Sequence, residues 1–173
     1  MDQDSEELKQ MLSAFPRLKT DSFFTVTSCA SSVYNCVAWA MGLSDRWVSP
    51  NPAFAPGIWW PQCVNRSSSI ESLIEAFECM GFCECADDLP ETGFDKVALY
   101  KNPKNNEWTH AARVLSENVY HSKIGSNCDI HHGKQSFNET QYGKICVYMK
   151  RATSDRRISE ELMNEAEGEI EIS

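Results

Sequence analysis

The chain has 173 residues, 42% hydrophobic, 10% aromatic and 24% charged, a composition that excludes wholesale disorder and makes one compact domain the expectation. A domain of this size buries roughly 70% of the surface its unfolded chain exposes, so its core needs no disulfide or metal staple. Sixteen Lys and Arg against twenty-five Asp and Glu give a net charge of −9, which argues against nucleic acid or an anionic membrane as partner.

The acidic start, Met1-Asp2-Gln3-Asp4-Ser5-Glu6-Glu7, lacks a basic segment followed by an apolar one, so a cytoplasmic protein with reduced cysteines is expected. A first helix is predicted over residues 5–15, where Leu8, Met11, Leu12 and Phe15 recur at helical spacing behind an Asp4 or Ser5 cap, and Pro16 ends it. Residues 22–44 carry no charge, but Ser, Thr and Asn throughout make them core rather than a membrane span. Within them residues 23–27 are β-rich, and residues 33–41 read as a short apolar helix closed by Gly42, with Cys36 in its first turn. Next comes a Pro- and Trp-rich stretch, residues 47–61, expected to be an irregular aromatic loop walling a groove.

Ser68 or Ser69 caps a second amphipathic helix, with Leu73, Ile74, Phe77 and Met80 on one face and Gly81 at its end. Residues 96–100, 107–115 and 119–123 are three strand-like runs separated by turn residues, an antiparallel meander. A last strand covers residues 144–149, after a polar loop containing Gly and His. Residues 152–173 hold seven acids against two bases and read as a solvated tail, with a marginal helix near residues 159–167. Helices lead and strands follow, the layout of an α+β domain: a lead-in over residues 1–20, the domain over 21–151 and the tail over 152–173.

Cys36 is the first candidate for chemistry. A thiol at a helix start faces unsatisfied amides, which can lower its pKa from about 8.5 toward 3.5–7.5 and can also hold an oxyanion. His110, on an apolar strand, is its natural base. Taken singly, a cysteine in an apolar helix is ordinarily a small core residue and a strand histidine a structural one; helix with Cys followed by strand with His is the combination that points to catalysis. Arg113 lies three residues beyond His110, so strand alternation places it on the opposite face. Cys63, Cys79, Cys83 and Cys85 lack the paired spacing of a zinc site, and the adjacent His131 and His132 point apart in a loop expected to be solvated, so no metal or cofactor is implied.

Tyr34-Asn35-Cys36-Val37-Ala38-Trp39-Ala40, followed by Thr109-His110-Ala111-Ala112-Arg113, resembles the cysteine and histidine boxes of the NlpC-like and CHAP-like papain-fold amidases and endopeptidases. Adding Asp45-Arg46-Trp47, Trp60-Pro61, the Lys96 to Tyr100 run, Ser122-Lys123-Ile124-Gly125 and Asp129-Ile130, the pattern resembles a small, uncharacterised, mostly bacterial family across roughly residues 30–151. The resemblance implies a papain-like fold, Cys36 as nucleophile and His110 as general base. It leaves the third member open between His121 or Ser122 on the next strand and Asp129 beyond it. A peptide or other amide-containing substrate follows, with Asn35 aiding the helix-start amides at the oxyanion, Lys123 a substrate-binding or merely solvated charge, and Trp59 and Trp60 lining the cleft. The alternative is a non-catalytic binding module that holds a partner on Trp47, Phe54, Trp59 and Trp60. Oligomeric state is not legible.

Overall fold

The computed structural model describes residues 3–51 and 57–172. Helix α1 (Gln3–Ala14) ends where Pro16 opens a 3-10 turn over Pro16–Thr20, and Asp4 and Ser5, expected as caps, already lie inside it. After strand β1 (Thr25–Val26), helix α2 spans Cys36–Met41. Asn35 caps it by accepting the Ala38 N–H, an interaction worth about 1 kcal/mol, and Gly42 ends it at φ 85°, a left-handed backbone that glycine adopts without strain. The Pro/Trp stretch is not wholly irregular: β2 (Trp47–Val48) and β3 (Ile58–Trp59) form a short parallel pair. Phe54, placed by the sequence on the aromatic surface, lies outside the described residues.

Helix α3 (Ile70–Cys79) starts at a Ser69 cap and buries Ile70, Leu73, Ala76 and Phe77. Six strands follow: β4 (Cys83–Cys85), β5 (Phe94–Lys101), β6 (Trp108–Val114), β7 (Val119–Lys123), β8 (Asp129–Gly133) and β9 (Lys144–Ala152). With β1 they form one sheet in the order β1-β8-β7-β6-β5-β9-β4, antiparallel at every pairing. The architecture is α+β, and the predicted meander is β5-β6-β7, extended by β8.

The residues around β8 were expected to form a solvated loop, yet it pairs along its length with β7. A second departure is at the C-terminus. Residues 157–172 form helix α4 (Arg157–Ile172) rather than a solvated tail, because Ile158, Leu162 and Met163 share a face that packs on the core and Ser159 is buried, donating to Met41 O at 2.7 Å.

Both sheet faces are covered, which is why β5 reads as a continuous apolar run. Val97 and Leu99 join Ala111 and Met149 in a core shared with α2 and α3, while Ala98 and Tyr100 join Ala112, Tyr120 and Ile130 in a second core closed by Met11, Phe15 and Leu18. Strand β6 is held along its length by β5, but it pairs with β7 only at Arg113↔His121 and Val114↔Tyr120. Toward His110 the two strands part.

Candidate functional site

Cys36 is the first residue of α2, 9% exposed, in the core on the α2 side of the sheet. Three amides face its sulfur, those of Ala111, Val37 and Cys36 itself, and the Lys123 charge is within range; all four favour the thiolate. Ala111 belongs to β6 where that strand has no β7 partner, so the parted strands free its N–H for the sulfur. Burial nevertheless outweighs these groups and pushes the thiol above its ordinary value, so the lowered pKa expected from a helix start is not met. The six-residue helix offers too few aligned dipoles to offset desolvation.

His110 is fully buried on the other side of the sheet: its ring stacks on Tyr142 at 4.2 Å between centroids and meets Tyr100 and Phe137 edgewise or tilted. Its Nε2 lies 3.0 Å from Ser122 Oγ, which lies 2.7 Å from His132 Nε2, and His132 Nδ1 lies 2.8 Å from Gly133 O. Burial lowers the pKa of both histidines, that of His132 to about 4, so both are neutral at pH 7. The Gly133 carbonyl can only accept, which puts the His132 proton on Nδ1 and leaves its Nε2 an acceptor. Ser122 must donate to that acceptor, and therefore receives the N–H of His110 Nε2. The chain of bonds thus fixes His110 with a bare lone pair on Nδ1, and that buried atom has no hydrogen-bond partner among the described residues.

Of the three candidates for third member, Ser122 holds the imidazole. Asp129 is elsewhere: its carboxylate accepts from Tyr34 at 3.1 Å, from Thr27 at 3.1 Å and from Ser28. His121 meets Thr27 Oγ1 at 2.8 Å and sits edge-on to Trp39, on the α2 side. The Cys36 thiol is not bonded to His110 Nδ1, and the two side chains face opposite sides of the sheet. They are linked through Ala111, which follows His110 and faces the sulfur, and through Tyr142, which stacks on His110 and lies within electrostatic range of Cys36.

Asn35 is a brace, accepting from Ala38 and Val48 amides and donating to Val48 O at 2.7 Å, which ties α2 to β2. Lys123, read as a solvated or substrate-binding charge, is fully buried and donates to Ser31 O at 2.7 Å and Gly125 O at 2.6 Å. Trp60 is a core residue; Trp59 is half-buried beneath the Arg46 guanidinium, 5.3 Å from its ring. Arg113 takes the face opposite His110, as alternation requires, lying 3.7 Å over Trp39.

Sequence reasoning missed His132 and Tyr142. Strand alternation pointed to the first: His132 shares parity with Ile130, an apolar residue that must face the core. Tyr142 sits in a turn with no such pattern. The Cys63 and Cys79 sulfurs meet at 2.8 Å, and among the described residues no group of three or more His, Cys, Asp or Glu is placed to hold a metal. Nor is any described helix long and apolar enough to cross a membrane.

The family model described as Domain of unknown function (DUF7689) matches residues 25–150, and the chain belongs to that family. The match runs from β1 into β9, leaving α1 and α4 outside. No curated protein and no solved structure matches the chain.

Proposed function

We propose that this member of the DUF7689 family is a papain-like thiol hydrolase or acyl transferase that acts on an amide bond. The observation that carries the reading is the fixed His110 tautomer, a bare and unpartnered Nδ1, next in sequence to the amide that faces a helix-start thiol. His110 Nδ1, not bonded to the thiol in this structure, takes the Cys36 proton through one bridging water where β6 parts from β7, as the sulfur attacks the amide carbonyl carbon. The carbonyl π electrons move to oxygen, where the helix-start amides stabilise the charge. Collapse of that intermediate expels the amine, which takes its proton from the imidazolium, and leaves a thioester; water or an acceptor amine then releases the acyl group. The buried, neutral thiol makes this general-base chemistry from a neutral pair rather than from a standing thiolate–imidazolium pair. Ser122 is a positioning residue, with His132 behind it.

The test is the iodoacetamide alkylation rate of each cysteine against pH, resolved by mass spectrometry, in the parent and in a His110→Ala variant whose fold is verified by circular dichroism. The Cys36 rate at neutral pH falls at least about tenfold without the base. A Cys36 rate indifferent to His110 overturns the reading.

The raised thiol pKa and the thiol's lack of a bond to His110 favour a second reading, a non-catalytic binding module using Trp47 and Trp59 on the β2-β3 pair. It requires that Trp59→Ala weaken capture of a partner while Cys36→Ala does not.

A further inference from the structure

A cavity of about 540 Å³ opens between the C-terminal end of α2, strands β5, β6 and β9, and the start of α4. It takes in Ala40 and Gly42 and so lies at the end of α2 opposite Cys36. Four cations line it, Lys96, Arg113, Arg151 and Arg156, against two carboxylates, Asp95 and Glu160. Lys96 is paired with Asp87 at 3.2 Å and with Glu91 at 3.7 Å, and Arg156 grips Asp95 with two nitrogens.

The other two cations have no ion pair among the described residues. Arg113 gives its Nε to Trp39 O at 2.6 Å and lays its guanidinium over the Trp39 ring, and its terminal nitrogens meet no acceptor among the described residues. Arg151 is 3% exposed; it gives Nη1 to Met80 O and to Ser159 Oγ, and its buried Nε has no partner. Asp95 and Asp129 lie within electrostatic range of Arg113, and Asp95, Asp155 and Glu160 within range of Arg151, but none is in ion-pair contact with either, and withdrawing a guanidinium from water without a contacting counter-ion is costly. Burial pushes Arg113 down to about 10, which still leaves it charged at neutral pH. A guanidinium presents a planar fork of donors that matches a carboxylate or phosphate. Apolar side chains, Phe82 and Val97 among them, complete the walls.

We propose that this cavity binds a small organic oxyanion, its carboxylate or phosphate head paired with Arg113 and Arg151 and its apolar body against Phe82 and Val97. The site is separate from the thiol site and does not depend on the catalytic reading. The ligand supplies the contacting carboxylate or phosphate that the two guanidinium groups lack and ties α2 to the base of α4 through Arg113, which touches Trp39, and Arg151, which touches Ser159.

The test titrates the full chain with phenyl phosphate, phenylacetate and inorganic phosphate at constant ionic strength, reading tryptophan fluorescence, to which Trp39 beneath Arg113 contributes, and the thermal midpoint. A saturable response to at least one aryl anion is expected, with inorganic phosphate weaker and Arg113→Met binding at least about tenfold weaker. The tighter of the two aryl anions identifies the head group. Should Arg113→Met fail to fold, protection of Arg113 from phenylglyoxal by the bound aryl anion, read by peptide mass in the parent, takes its place. Absence of a saturable response up to about 10 mM, about a hundredfold above a 0.1 mM Kd, overturns the proposal. So does binding unchanged within about twofold in Arg113→Met, or an Arg113 that the anion leaves unprotected.

Discussion

Replacing Ser122 by Ala removes one hydroxyl and breaks two buried hydrogen bonds, those at 3.0 Å from His110 Nε2 and at 2.7 Å from His132 Nε2. Both rings are fully buried, so the orphaned N–H and the orphaned lone pair find no water in the static fold. Each unsatisfied buried group costs about 1–3 kcal/mol, and the lost volume is too small to matter beside that, so the two together destabilise the variant by about 2–6 kcal/mol. Urea unfolding at pH 7.5 measures the loss as a shift in midpoint at constant slope. Nitrogen-15 spectra of the imidazoles report the tautomer: the parent shows His110 protonated at Nε2 only, and the variant a mixture. Alkylation of Cys36 slows in parallel, since part of the His110 population then carries its proton on the wrong nitrogen. A loss below about 0.5 kcal/mol, with His110 still protonated at Nε2 alone, refutes the relay and the role assigned to Ser122.

Two further outcomes follow from the same structure. The folded state holds His132 down to about 4 and His110 well below its ordinary value, while unfolded histidines titrate near 6.5. Below pH 6.5 the unfolded chain therefore binds protons that the fold refuses, so stability present above that pH falls with acid, by about 1.5 kcal/mol between pH 6.5 and 5 from His132 alone, with His110 acting in the same direction. Unfolding free energy that is flat over that interval contradicts the burial of neutral imidazoles. Cys63 and Cys79, both exposed and with sulfurs 2.8 Å apart, close a disulfide when oxidised glutathione supplies the disulfide that is reduced to two thiols. The linked peptide lacks two hydrogens, and closing the loop of about 16 residues stabilises the fold by about 3 kcal/mol; two separately glutathionylated cysteines would contradict the geometry.

Local chemistry made several elements legible. An Asn before Cys36 and a Gly after Met41 bound α2 because a cap side chain and a left-handed terminus act within one turn of the residues they end. The Ser69 start of α3, with its apolar face, and the uninterrupted apolar run of β5 were readable for the same reason. Counting along the hairpin likewise puts His121 or Ser122 near His110, and it is Ser122 that the fold brings within 3.0 Å of its Nε2.

What the chain's order did not contain was which surfaces meet. The sequence 129–133 is polar enough to pass for a loop, and only pairing with β7 makes it a strand and turns His132 inward beside Ser122. Likewise the acidic segment after Ala152 becomes α4 because Ser159 and three apolar residues find a groove beside α2, a contact more than a hundred residues distant in sequence. The thiol's pKa is a similar case: a helix start favours the thiolate locally, whereas burial, a property of everything packed around Cys36, reverses the sign. Capping and periodicity act between neighbours along the chain and can be read from it; desolvation, strand register and the parting of β6 from β7 arise from groups brought together only by folding.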